Sequence, residues 1–185
     1  MRYKSGQKEE THQKMISAAD KTFRAHGFHG VGVDGLAKSA GVTSGAFYKH
    51  FSSKAKAFDA ALETGIDELQ QVMLEFKERH GDEWWLPFAR FYVQEKRICP
   101  PEEACALQSL SAEVMRAGEN TRSQFTQQLQ KLAKVVSGSN RKGDQQQVLV
   151  KLAMLAGAVT LARSVNDPKL SKQIAEGVLQ QFERC

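Results

Sequence analysis

Cysteine is scarce: three in 185 residues are too few for a disulfide framework, and the odd number leaves at least one thiol free unless it pairs between chains. They stand at positions 99, 105 and 185, a spacing that suits no zinc site, and a reducing, cytoplasmic setting is expected. Proline is nearly as scarce, and all four prolines follow Gly81. The most apolar stretch, 148–165, is interrupted by Lys151, Thr160 and Arg163 and holds many small residues, so it reads as a buried helix rather than a membrane span. The first ten residues are polar with no apolar segment, so no secretory signal peptide is expected. Histidine thins out too: His80 is the only one after position 50, a poor supply of bases for an enzyme. What remains, 41% hydrophobic and 25% charged residues, describes a globular chain able to bury a core and excludes a fibrous or wholly disordered one.

The first third of the chain lacks acid. Residues 1–56 hold ten Lys/Arg against four Asp/Glu, whereas the rest is nearly neutral, so the whole net charge of +5 is owed to the amino-terminal segment. A nucleic-acid-binding module attached to a neutral partner domain has this distribution, although a basic solvated face has it as well.

Periodicity is helical almost throughout, which makes the fold class all-α with about nine helices. Met15, Ile16, Ala19 and Phe23 form the stripe of a first helix closed at Gly27. A Gly-rich segment leads into a helix of barely two turns, Leu36–Ala40, stopped at Gly41. A third short helix, Ala46–Phe51, follows, and Ser52–Ser53 are a natural cap for a long fourth helix running to His80. Five more are expected around Trp84–Tyr92, Leu107–Met115, Phe125–Val136, Gln145–Val165 and Leu170–Phe182. The expected division is 1–55 and 56–185.

The two short helices about Gly41 carry the most information. Gly41 suits the left-handed turn, Val42 tucks beneath it, and the pair reads as a helix-turn-helix spanning about 33–52. Its second helix exposes Thr43, Ser44, Tyr48, Lys49 and His50, donors suited to phosphates and major-groove base edges, while Phe47 and Phe51 face inward.

Three ordered elements extend this reading: Leu-Ala-x-x-Ala-Gly-Val at 36–42, Phe-Tyr-x-His-Phe at 47–51, and Ser-Lys at 53–54 before a long helix. The stretch resembles the DNA-binding signature of the TetR (tetracycline repressor) family of transcriptional regulators. The resemblance implies that Thr43, Ser44 and Gly45 begin the recognition helix, that Tyr48 and His50 reach phosphates or bases, and that Lys54 binds a phosphate. One departure is Gly32, where family members often carry Thr or Ser as the cap of the second helix. The resemblance also implies a small-molecule cavity in the later helices, for which Phe76, Phe88, Phe91, Tyr92, Leu107, Met115, Phe125 and Met154 are the candidates, by default simply core.

The helix around 148–162 has almost no polar stripe and must be covered on both sides. A two-fold dimer interface is therefore expected, with Leu152, Ala156, Gly157 and Val159 meeting Ile174 and Val178 of the last helix and of a second copy. The expected partners are a double-stranded operator, an effector and a second copy, with no membrane, no cofactor and no metal. Gly30-Val-Gly-Val-Asp-Gly35 is a literal G-x-G-x-x-G but follows a helix rather than a strand, so it does not signal a nucleotide fold. Glu9-Glu-Thr-His12 has the E-x-x-H spacing of a di-iron ligand pair, but occurs once where such a site needs it twice. Cys99 and Cys105 are expected to be structural, with thiol sensing the alternative. A helical-bundle enzyme, and a DNA-binding protein without an effector, are the competing functional classes.

Overall fold

The computed structural model describes residues 5–183, with side chains from position 8; Cys185 lies outside that range. Nine α-helices are found among the described residues: α1 (Ser5–His26), α2 (Val33–Ser39), α3 (Ser44–His50), α4 (Lys54–His80), α5 (Trp85–Ile98), α6 (Ala106–Arg116), α7 (Glu119–Ser137), α8 (Lys142–Ser164) and α9 (Pro168–Glu183). Two single 3-10 turns, Gly81–Glu83 and Pro101–Glu103, were not expected from the periodicity. The first helix starts well before its apolar stripe and α9 starts two residues early, at a proline whose missing N–H costs nothing in a first turn.

Local chemistry sets the boundaries of the amino-terminal helices. At the end of α2, Gly41 takes φ +68°, its N–H donates to Lys38 O at 3.0 Å and that of Val42 to Ala37 O at 2.9 Å. That pair of bonds is a Schellman stop. Thr43 caps α3 by accepting from Ala46 N at 3.2 Å, and Ser53 caps α4 by accepting from Lys56 N at 3.2 Å. Gly32 caps α2 without a side-chain bond.

Two apolar cores stack along α4. The first gathers Met15, Ala19 and Phe23 of α1, Leu36, Phe47 and Phe51 of the short helices, and Phe58 and Leu62 of α4. It also takes in Ala106, Leu110 and Val114 of α6, so a helix from the second half of the chain completes the core of the first three. The second core lies between the far half of α4 and α5, α7, α8 and α9, built from residues such as Met73, Phe88, Tyr92, Leu132 and Leu155. α4 thus belongs to both, the geometry of a lever.

Candidate nucleic-acid interface and internal cavity

The short α3 lies on α2 with Phe47 and Phe51 buried beneath it, which leaves its opposite face to solvent. On that face Tyr48 is 57% exposed, Thr43, Gly45 and Lys49 are exposed, and Ser44 and His50 are half-buried. Ser44 Oγ donates to Asp34 Oδ1 at 2.5 Å, tying α3 to α2 across the turn. Thr43 spends its oxygen on the cap and keeps its hydroxyl proton as a donor. A Cβ placed on Gly45 would meet nothing nearer than Thr43 Oγ1 at 3.9 Å, so the glycine leaves open ground beside them.

Lys54 stands apart from this face. Its ammonium donates to Phe28 O at 2.7 Å and Val31 O at 3.0 Å and lies 4.2 Å from the centre of the Phe28 ring. Two of its three donors therefore hold the α1–α2 connection in place, and one is left for an anion. That structural duty has no sequence signal, because the acceptors are backbone carbonyls.

The second feature is a cavity of about 110 Å³ where the two cores meet, walled by Leu69, Val72, Phe88, Phe91 and Tyr92, with Arg24, Glu68, Lys96 and Cys105 at its polar edge. Of the eight candidates, Phe88, Phe91 and Tyr92 border it. Leu107 is buried in the surrounding core, and Phe76, Phe125 and Met154 pack partly buried against it, none of them bordering the cavity. Met115 does neither, being 71% exposed. α6 turns Leu107, Leu110 and Val114 inward, and the next residue on from Val114 falls outside that stripe.

Arg24 is the residue that sequence reasoning missed. It leaves α1 with only 8% of its side chain exposed, pairs with Asp20 at 2.5 Å and Glu68 at 2.6 Å, and donates to the Ala104 carbonyl at 3.0 Å. One guanidinium therefore joins α1, α4 and the segment before α6. Burial, only partly offset by Arg24, lifts the Asp20 carboxyl to about 6. Gly65 makes the crossing possible, since a Cβ there would lie 2.3 Å from Ala106 Cβ and 3.0 Å from Arg24 Nη2. Tyr92 is buried, its hydroxyl without a hydrogen-bond partner among the described residues, and burial, then the neighbouring Cys105, push that hydroxyl well above its usual range.

On α8 the structure divides the expected interface residues. Leu152 and Val159 are buried in their own protomer, which removes them from any surface. Ala156, Ile174 and Val178 are half-buried and Gly157 is exposed. The apolar face left open is instead Leu149, Val150, Ala153, Gly157 and Leu161, one stripe along α8, with Leu170 of α9 beside the helix end. α8 is long and apolar enough to cross a membrane, with about a third of its most apolar window buried.

Residues 15–61 match the family model of bacterial regulatory proteins of the tetR family. The HTH-type transcriptional activator FasR of Mycolicibacterium smegmatis is 36% identical over 62 residues, covering 34% of this chain and 28% of that protein. The HTH-type transcriptional repressor AcnR of Corynebacterium efficiens is 32% identical over 102 residues, covering 49% of this chain and 52% of that one. The chain thus spans between about a quarter and half of the curated relatives it matches. Over the whole fold it is similar to the reduced form of NemR from E. coli, with TM-score 0.75 at 23% identity, covering 95% of this chain and 96% of that one. It is similar also to FadR from Bacillus subtilis solved with stearoyl-CoA, with TM-score 0.65 at 15% identity, covering 90% and 97%. The amino-terminal residues 15–61 thus match the tetR-family model, and the chain shares its all-α fold with these solved structures along nearly its full length.

Proposed function

We propose that the chain is a cytoplasmic, homodimeric DNA-binding repressor whose hold on a pseudo-palindromic operator is released by a small apolar or aromatic effector. The observation that carries the reading is the outer face of α3, where hydroxyl, phenol, ammonium and imidazole groups stand over a buried Phe47–Phe51 base. Such a helix enters the major groove and reads base edges from its amino-terminal end. Thr43, Ser44 and Gly45 are the base-facing positions, and Tyr48, Lys49, His50 and the spare donor of Lys54 serve the backbone. To test it, a duplex is selected from a random pool and titrated by fluorescence anisotropy. Ser44→Ala should change the preferred sequence, and Lys49→Ala should weaken all sequences alike and lower the salt slope by about one. Unchanged binding in both variants would refute the assignment.

The effector reading rests on the cavity beside Arg24. At about 110 Å³ it is smaller than the pockets of about 300–1,000 Å³ that take drug-sized ligands. It suits a single ring or the apolar end of a larger molecule that widens it. Because Arg24 and Glu68 border it, an occupant that parts them alters how α1 sits on α4, and that differential contact is what a release mechanism requires. Thermal shift with ring-sized apolar compounds, followed by DNA release, tests the reading.

A second reading uses the same cavity through Cys105, which is 5% exposed and borders it beside Tyr92. The similarity to NemR, solved in its reduced form, supports asking whether this thiol reports oxidants or electrophiles. Modification of Cys105 by iodoacetamide with loss of DNA binding, absent in Cys105→Ser, is the outcome that favours it.

A further inference from the structure

A second cleft, of about 300 Å³, opens at the carboxyl end of α3 and is lined by Lys8, Glu9 and His12 of α1 with Lys49 and His50 of α3. His12 lies flat against His50, ring centroids 5.5 Å apart and planes 15° apart, and also meets the Phe51 ring at 5.0 Å. The Glu9-x-x-His12 spacing that looked like half of a metal site thus serves another purpose. Among the described residues no group of three metal-ligating side chains occurs, and two stacked imidazoles do not aim their nitrogens at one ion.

The charge of the cleft is one-sided. Among the described residues neither Lys8 nor Lys49 makes an ion pair, Glu9 is engaged by the Gln13 amide at 3.0 Å, and Glu10 by Lys14 at 2.6 Å. Two free ammonium groups and two imidazoles therefore face one carboxylate that a neighbouring amide already holds. The cleft borders the helix proposed to enter the major groove, and the strand backbone bounding that groove passes the flank of such a helix.

We infer that this cleft is a phosphate-binding subsite, formed jointly by α1 and α3, that takes a DNA backbone phosphate between Lys8, His12, Lys49 and His50. The inference rests on the DNA-binding reading and extends it to α1, a helix that the recognition-helix assignment leaves out. It also makes binding proton-linked. In the free protein burial, then His12 and Lys8, lower the affinity of His50 for a proton, with Glu9 opposing and Phe51 adding no charge. A phosphate seated in the cleft reverses that balance, so docking draws a proton in and affinity rises as pH falls.

The probe is a fluorescent 30-base-pair duplex of random sequence, titrated by anisotropy at fixed salt between about pH 8 and about pH 5.5, the span in which histidine changes charge. Wild type should tighten by roughly threefold to tenfold toward the acid end, a tenfold change being the yield of about one proton over one pH unit. His50→Gln should lose most of that gain, whereas His29→Gln, on the α1–α2 connection, should keep it. Lys8→Ala, at an exposed position that does not endanger folding, should lower the slope of log Kd against log salt by about one per protomer at any pH. If Lys49→Ala weakens binding while His50→Gln and Lys8→Ala retain the wild-type slopes, the subsite is refuted and the DNA-binding reading stands. If Lys49→Ala is also without effect, or wild type fails to bind, both fall.

Discussion

Single residues here do two jobs, and substitutions separate them. Gly45 sits in α3 with open space around it, so an alanine should raise stability by up to about 1 kcal/mol while placing a methyl group where bases or backbone would approach. Gly45→Ala should therefore melt higher and bind DNA more weakly, and a variant that melts higher but binds as wild type would place Gly45 away from DNA. Asp20 carries the pH prediction. Burial lifts its carboxyl to about 6 in the fold from an ordinary 3.8, so the folded state holds that proton more tightly than the unfolded chain. Its contribution is fully present below 3.8 and is lost as pH rises through about 6. Relative to Asp20→Asn, wild type should lose roughly 1–3 kcal/mol of unfolding free energy between about pH 4 and about pH 7, read from denaturant melts at each pH. Removing the partner is a different matter. Arg24→Met leaves a buried Asp20 without its cation and should cost about 3–5 kcal/mol.

At the scale of helices, the crossing of α4 and α6 decides how the two cores communicate. Gly65→Ala brings a methyl group to 2.3 Å from Ala106 Cβ, and neither helix backbone can yield cheaply. The expected result is a loss of about 1–3 kcal/mol, and the double variant Gly65→Ala, Ala106→Gly should recover part of it. Helices whose signals are local were legible in the sequence. Gly41 and Val42 announced the Schellman stop of α2, Ser53 announced the start of α4, and the spacing of Phe47 and Phe51 announced which face of α3 is buried. Met115 was misread because Val114 and Met115 are adjacent and equally apolar, and only the angle at which α6 packs decides which one faces in. Leu152 and Val159 were misread for the same reason: an all-round apolar helix does not say which of its faces its own chain will claim. The bridging role of Arg24 was invisible because, beyond Asp20 one turn away, its partners lie 44 and 80 residues off, and one of them is a carbonyl. The reading of α3 drew on contacts within a dozen residues, whereas the cavity is assembled from four separate segments of chain, and that difference in range explains why one was legible and the other was not.

At the scale of the molecule, the described residues leave an apolar stripe along α8 that its own helices do not cover. Leu161 is 60% exposed, Val150 45% and Leu149 37%, and with Ala153 and Gly157 they share one side of α8. A helix this apolar with so little of it buried is a liability in water unless another surface meets it. In the proposed dimer a second copy related by a two-fold axis would meet it with the same stripe, and the exposed Gly157, where among the described residues no atom beyond the helix's own backbone comes within 4 Å of a Cβ, would let the two backbones approach closely. Such an interface would set two α3 helices at a fixed separation, which is what a pseudo-palindromic site requires. Gly157→Arg places a charge at the centre of the stripe without disturbing the protomer core, because among the described residues no other helix comes within 4 Å of a Cβ at that position. Sedimentation equilibrium should find wild type as a dimer at micromolar concentration and Gly157→Arg as a folded monomer with an unchanged helical spectrum. Because each protomer alone offers one α3, the monomer should bind a half-site weakly and lose the full site by a factor of about 10²–10⁴, the advantage that linking two modules provides. Leu152→Ala is the matching control: its side chain is 2% exposed and packed in its own protomer, so it should cost about 2–5 kcal/mol of stability. Its folded fraction should still associate as wild type does. A wild-type monomer, or a Gly157→Arg variant that remains dimeric, would move the interface off this face of α8.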